Sequence, residues 1–180
     1  KAEVIAFDAA TNSGYQATAS TYNWLHTCTT GSNRYLIVGV SMLSVVGSSV
    51  TGITYNSIAM TFLGAVSSVT GAVRAELWGL PAPSTGSNSI AVTLSTGLIS
   101  AACAISFTGV HQTASTEGFN SASATNVGAA DATVNVTTVE TGSWVHGSLA
   151  TDDGNVTAEQ TARNEVNGAA GSGADQDSNG

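Results

Sequence analysis

The chain has 180 residues, and its 4 Lys and Arg against 12 Asp and Glu give a formal net charge of -8. This excess of negative charge disfavours binding to the phosphate backbone of nucleic acids, and no apolar stretch reaches the ~18 residues of a membrane-spanning helix. Only 9% of the residues are charged, against roughly 25% in an average soluble domain. Such a neutral, Ser-, Thr- and Gly-rich composition is typical of extracellular or particle-forming proteins, and the length allows a substantial core.

Short segments in which apolar residues alternate with polar or small ones recur along the chain and predict β-strands. In chain order, the predicted strands are 1–7, 21–27, 33–41, 50–55, 58–66, 72–80, 89–94, 101–110, 133–137, 144–150 and 157–166. The last could instead be a short helix, which Thr157 would cap with Gln160 three residues later, although the surrounding pattern favours a strand. Residues 8–14 are predicted to be a turn-rich loop.

Three of these segments carry more detailed predictions. The strands at 33–41 and 101–110 are apolar or small on both faces, so each should be covered on both sides. Asn56 and Ser57 form a tight-turn pair between 50–55 and 58–66, which predicts a hairpin. In 72–80, the face with Val73, Ala75 and Leu77 is predicted to be buried. The face with Arg74, Glu76 and Trp78 is predicted to be exposed to solvent.

About ten short strands separated by Gly, Ser, Asn and Pro predict an all-β domain, a two-sheet antiparallel β-sandwich of jelly-roll or similar Greek-key topology. The predicted domain covers residues 1–166. Residues 167–180 hold only Gly, Ala, Ser, Asn, Gln and acidic residues, and are predicted to be a tail.

Several short sequence segments within these strands resemble segments of a known group of domains. They are Gly31-Ser32-Asn33-Arg34 before Leu-Ile-Val-Gly-Val-Ser, the hairpin at 53–61, Glu76-Leu77-Trp78, and the strand at 104–110. Together they resemble a recurrent, poorly characterised group of secreted bacterial, archaeal and phage β-sandwich domains, found singly or repeated in surface proteins. The resemblance covers about residues 6–166 and implies a sandwich fold and an extracellular or cell-surface location, but no reaction.

Domains of this group continue past the Gly-rich region into a final apolar strand, which is not found before Gly180. Either the sequence is incomplete, or another molecule supplies the strand by β-strand addition. The predicted donor is segment 1–7, with Val4, Ile5 and Phe7 as its apolar residues. Because donor and acceptor differ, the contact would be head-to-tail and would form a homopolymer of this chain unless it closes into a ring. Alternatively, segment 1–7 pairs within its own domain.

The predicted function is therefore a non-catalytic structural subunit of an extracellular filament or surface assembly. The alternatives are a carbohydrate-binding or adhesion module of a surface or phage-tail protein, and a virion capsid or decoration subunit. A glycan partner would stack on Trp24, Tyr35, Trp78 or Trp144, which could equally be packing residues. No G-x-S-x-G elbow is found, and the chain is not predicted to be an enzyme.

Asp175, Asp177 and Asn179, followed by Gly180, match the first half of a D-x-[DN]-x-[DN]-G calcium loop. They are the predicted calcium ligands, with a solvated acidic tail as the alternative, and no other cofactor is predicted. His26 and Cys28 would share a strand face, as a metal-ligand pair could, but such pairs are common by chance.

Two further pairs of residues are candidates for covalent modification. Cys28 and Cys103 are predicted either to form a disulfide between strands or to be two buried thiols. Asn135 and Asn155 each begin an N-x-[ST] pattern and are candidate glycosylation acceptors, although two such matches are expected by chance in a chain rich in Asn and Thr.

Overall fold

The computed structural model of the chain describes residues 4–44, 46–112, 121–125, 133–138, 141–151, 161–166 and 172–179. In this part of the chain all regular secondary structure is β-strand, so the predicted all-β class is confirmed. The strands are β1 (Ala6–Cys28), β2 (Tyr35–Leu43), β3 (Val50–Tyr55), β4 (Ile58–Ala59), β5 (Thr61–Ser67), β6 (Val73–Pro81), β7 (Gly86–Thr108), β8 (Trp144–Thr151), β9 (Thr161–Val166) and β10 (Ser172–Asn179).

Seven strands form one antiparallel sheet in the order β4-β3-β7-β2-β6-β5, with β1 also paired to β7. The sheet is nearly closed, because its two ends meet: β4 continues through Met60 into β5, and the Met60 backbone N–H donates to the carbonyl of Ile53 in β3. Asn56 and Ser57 have φ angles of 49° and 65°. Positive φ at both central residues is the geometry of a type I′ turn, which confirms the predicted hairpin.

The ribbon formed by β1 and β7 folds back on itself. Each strand has 23 residues, yet Thr11 Oγ1 lies 2.8 Å from His26 Nδ1, which is 15 residues further along β1. Fifteen extended residues would span about 50 Å, so the ribbon must turn a corner between them. The register shifts on both sides of Ala19 mark that corner. The corner requires a glycine at position 97, because a Cβ on this residue would lie 2.7 Å from the Thr18 carbonyl O.

Folding back places the first half of β7, paired with β3, opposite its second half, paired with β2. The space between the halves is filled by the main hydrophobic core. Its largest contributors from β2, β3 and β7 are Leu36, Val38, Val40, Met42, Ile53, Tyr55, Ile90, Val92 and Leu94.

The opposite face of β2 and β7 is covered by a second sheet of three antiparallel strands, in the order β8-β10-β9. Trp144 of β8 packs on a cluster that includes Tyr35 and Phe107, and Val166 of β9 packs on Ala101 and Cys103. The prediction that the strands at 33–41 and 101–110 are covered on both sides is therefore confirmed.

Some predicted elements differ from the structure. Residues 8–14 belong to β1, since bulges let the strand continue through them, and 89–94 and 101–110 are parts of the single strand β7. Residues 133–137 have no regular structure. In the segment at 157–166, residues 161–166 form a strand rather than a helix, and 157–160 lie outside the described residues.

Two differences have a clear physical cause. The face of β6 with Glu76 and Trp78 was expected to be exposed to solvent. Instead it lines the interior of the folded-back sheet, where Glu76 is 1% and Trp78 8% exposed. Residues 172–179 were expected in a tail, yet they form β10, the middle strand of the second sheet. Strand pairing uses backbone groups, so a segment without large apolar side chains can still occupy a middle position.

Candidate functional site

The corner in the β1–β7 ribbon brings polar residues from distant positions together at one edge of the sheet. We call this group the His26 cluster, and it consists of Asp8, Thr11, Trp24, His26, Thr29 and Ser106. Asp8 and Thr11 come from the first half of β1, Trp24 and His26 from its second half, and Ser106 from the end of β7. The cluster therefore joins the two halves of the folded ribbon.

One chain of hydrogen bonds runs through the cluster. Trp24 Nε1 donates to Thr11 Oγ1 at 3.0 Å, and Thr11 Oγ1 lies 2.8 Å from His26 Nδ1. On the other side of the ring, His26 Nε2 lies 3.1 Å from Ser106 Oγ, which donates to Asp8 Oδ2 at 2.7 Å. Because Ser106 gives its proton to the carboxylate, it must accept from His26 Nε2–H. The neutral ring then accepts from Thr11 at Nδ1.

Asp8 ends this chain as an ionised carboxylate. The Thr29 backbone N–H donates to Asp8 Oδ2 at 3.0 Å, and the Thr29 hydroxyl donates to Oδ1. Burial raises the pKa of Asp8, but the hydrogen bonds from Thr29 and Ser106 and the charge interaction with His26 outweigh it, so the net pKa lies below the ordinary value. The carboxylate is charged at neutral pH.

His26 is neutral at the same pH. Its side chain is 0% exposed, and this burial lowers the pKa of His26 to about 4, although the nearby charge of Asp8 acts in the opposite direction. A neutral imidazole with its proton on Nε2 is the form that the hydrogen-bond chain requires. The electrostatics and the hydrogen-bond geometry therefore agree.

Ser106, His26 and Asp8 are the residue types of a catalytic triad, but their order is different. In a triad the serine donates to the histidine, which donates to the aspartate. Here His26 donates to Ser106, so the imidazole cannot take the serine proton, and both residues are 0% exposed. The arrangement holds strands together, and it offers no accessible nucleophile.

Sequence reasoning did not find this cluster. It singled out His26 with Cys28 as a metal pair, whereas the Cys28 side chain lies in the main hydrophobic core. Among the residues that the structure describes, no group of three or more His, Cys, Asp or Glu could hold a metal ion. The hydrogen bonds of the cluster join residues as far apart in sequence as Asp8 and Ser106, so no local sequence motif predicts them.

The predicted donor segment lies at the start of β1. Val4 is 85% exposed, while Ile5 packs on the outer cluster around Phe107, and Phe7 is paired with Phe107 in the same chain. In this single chain the segment thus adopts the alternative arrangement, pairing within its own domain from Ala6 onward. Its role as a donor stays a prediction.

The predicted calcium ligands lie in β10. Asp175, Asp177 and Asn179 occupy alternate positions of the strand, and their backbones pair with Ser148, His146 and Trp144 of β8. This extended backbone differs from the sharply turned backbone of a calcium loop. Calcium binding stays a prediction.

The two cysteines are both buried, and neither forms a disulfide. Cys28 lies in the main core and Cys103 in the cluster beneath β9, on opposite faces of the main sheet. The predicted disulfide is therefore not formed, and the alternative of two buried thiols is the arrangement found. Asn135 is exposed, as a glycan acceptor must be, and Asn155 lies outside the described residues.

The aromatic residues that could have formed a sugar-binding surface are dispersed. Trp78 and Tyr35 are buried on opposite sides of the main sheet. Trp24 packs on the main core, and Trp144 packs on the outer cluster. Trp24 and Trp144 are partly buried, and the four side chains form no common stacking surface, because they pack on two clusters on opposite faces of the main sheet.

Within the described residues, no helix is long and apolar enough to cross a membrane. Compared with family models, curated proteins and solved structures, the chain matches none of them.

Proposed function

We propose that the chain is a non-catalytic structural subunit of an extracellular filament or surface assembly, and that neighbouring copies join by exchanging residues 4–7. The observation that carries this proposal is the way in which β1 begins. Ala6 and Phe7 pair with Thr108 and Phe107, and a register shift follows immediately between Phe7 and Ala9. Residues 4–7 are thus a short unit, separated from the rest of β1 by an irregularity.

The site that holds this unit suits an extended segment. Ile5 packs on the outer cluster with Phe107, and the backbone of Val4 passes directly against Gly109, where a Cβ would overlap the Val4 carbonyl O. If a neighbour supplied residues 4–7, it would make the same contacts as the chain's own segment. Exchange of an identical element therefore loses no contacts, which is why domain swapping is a low-cost route to assembly.

Composition supports the same proposal. Only 9% of the residues are charged, a composition typical of extracellular or particle-forming proteins, and the assembly would have to overcome the repulsion between copies that each carry a net charge of -8. As part of the proposal, the folded-back β1–β7 ribbon is the corner of a two-sheet, jelly-roll-like subunit, since strands that switch sheets make such corners through bulges and bends. A virion capsid or decoration subunit could use the same exchange.

Cross-linking tests the exchange directly. Ala6 and Thr108 are directly opposite each other in the ladder, where Cβ atoms come close enough for an engineered disulfide. One variant carries Ala6→Cys, another carries Thr108→Cys, and the two are mixed and oxidised. Exchange predicts disulfide-linked pairs of the two variants, with wild-type protein as the control for Cys28 and Cys103.

The double variant Ala6→Cys/Thr108→Cys supplies the opposing result. If all of it closes within single chains, if the mixed variants give no cross-linked pairs, and if sedimentation shows only monomers, strand exchange is wrong. Electron microscopy of the cross-linked material then separates filaments from closed rings and shells.

A further inference from the structure

We infer that the His26 cluster is an acid-sensitive latch: protonation of His26 releases the first half of β1 from the rest of the fold. Its consequence for assembly rests on the proposed strand exchange, because residues 4–7 include the first two residues of this half of β1. Acid would then promote exchange between copies. The latch itself is a property of the single chain.

The position of the cluster makes it a latch. Asp8, which follows the exchanging segment, is held by Ser106 and Thr29, and Thr11 is held by His26. Among the described residues, the first half of β1 has few apolar anchors: Ala10, together with Ile5 just before the strand, packs on the outer cluster. Polar contacts therefore carry much of its attachment beyond the backbone ladder with β7.

Protonation of His26 changes the hydrogen-bond chain at one atom. Nδ1 accepts from Thr11 in the neutral ring, and it becomes a donor in the imidazolium ion. Thr11 must then turn its hydroxyl proton toward another acceptor, because one lone pair of its oxygen accepts from the Trp24 indole and the other would have to accept from the imidazolium. The imidazolium is also fully buried, and burying a charge is costly unless it is well paired.

The charged and titratable groups around His26 do little to compensate. Asp8 is the only acid of the cluster, and Ser106 stands between it and the ring. Tyr55 of β3 lies with its ring centroid 6.4 Å from that of His26, and burial raises the pKa of Tyr55 to about 12 and raises the pKa of Cys28, so both are neutral in acid. Arg34 interacts with Cys28 and carries a further positive charge nearby.

The size of the effect follows from linkage. In the released state His26 has its ordinary pKa of 6.5, against about 4 when latched. Proton uptake then favours the released state, and its population relative to the latched state rises about 20-fold between about pH 7 and about pH 5. Asp8 stays ionised over this range.

Hydrogen–deuterium exchange on the dilute, monomeric full chain measures the latch. After correction for intrinsic exchange, amides in residues 6–16 should exchange about 20-fold faster near pH 5 than near pH 7. His26→Gln should remove this pH dependence, and His111→Gln, at an exposed position, should retain it. His146→Gln should also retain it: it removes the other imidazole whose pKa burial lowers to about 4, a ring that packs on Phe107, and loss of the pH dependence in this variant would assign it to His146 and overturn the latch. Equal pH dependence in wild type and His26→Gln overturns the latch.

A second measurement does not depend on how well His26→Gln folds. In wild-type protein, the NMR signal of the Trp24 indole N–H reports its bond to Thr11, and it should shift together with the titration of the His26 ring. If His26 titrates near its ordinary pKa while the indole signal and the exchange of residues 6–16 stay constant, the latch is overturned.

Assembly is then tested with the two cysteine variants, mixed near pH 5 or pH 7 and returned to mildly alkaline pH for oxidation. More cross-linked pairs after acid support both the latch and strand exchange. Acid-accelerated deuterium exchange without any cross-links supports the latch and removes strand exchange. Cross-links in equal yield at both pH values, with deuterium exchange that does not respond to acid, overturn the latch and leave strand exchange standing.

Discussion

Removing the Glu76 carboxylate should be among the most destabilising single changes in this protein. Glu76 is 1% exposed, and it accepts three hydrogen bonds: from Arg74 Nε at 2.6 Å, the Val50 backbone N–H at 3.1 Å and Trp78 Nε1 at 3.2 Å. Val50 begins β3, which is not a neighbour of β6 in the sheet order. Glu76 therefore ties the two strands together across the interior.

The size of the destabilisation follows from the hydrogen-bond donors that Glu76→Ala leaves without an acceptor. The Val50 N–H and the Trp78 indole would be buried donors without an acceptor, each costing about 1–3 kcal/mol. Arg74 is 24% exposed, so water can partly replace its lost partner. We expect a loss of about 4 kcal/mol in the free energy of unfolding, in line with removal of one partner from a buried ion pair.

Urea denaturation of wild type, Glu76→Ala and Glu76→Gln measures this loss. The Gln variant keeps the shape and one acceptor oxygen, so it should lose only about half as much. A third variant, Trp78→Phe, removes one of the donors, and Glu76→Ala should cost less in that background. A loss below about 1 kcal/mol for Glu76→Ala, with an unchanged denaturant slope, would refute the inference that this carboxylate ties β3 to β6.

Three further predictions concern pH, backbone and thiols. Burial lowers the pKa of both His26 and His146 from 6.5 to about 4, so stability is highest above pH 6.5 and each histidine should contribute a loss of about 3 kcal/mol as the pH drops to 4, measured by urea titration; His26→Gln should remove its own share and leave that of His146. Gly109→Ala should lower the melting temperature more than Gly142→Ala, since both have positive φ but only a Cβ at Gly109 would overlap the backbone of Val4; equal losses would contradict the close packing of Val4 against Gly109. Cys28 and Cys103 should resist thiol reagents in the folded protein and react once it is unfolded; rapid labelling of the native protein would show that they are accessible.

Features encoded by neighbouring residues were predictable from the sequence. The alternation of apolar and polar residues located most strands, and the Asn56-Ser57 pair predicted its turn, because side-chain period and turn geometry are set within a few residues. Apolar side chains on both faces of 35–42 likewise required cover on both sides. These predictions needed no knowledge of what lies across the core.

The candidate site was decided only by tertiary structure. A polar side chain in a strand can face solvent or pair inside the fold, and the choice depends on partners far along the chain. Glu76 and His26 were both placed inside because the β1–β7 ribbon folds back, and His26 then meets Ser106, 80 residues away. Backbone pairing likewise placed the polar strand β10 in the middle of a sheet. Alternation along a strand is a local property, whereas the burial and pairing of polar groups depend on the assembled fold. The sequence therefore revealed the strands but not the His26 cluster.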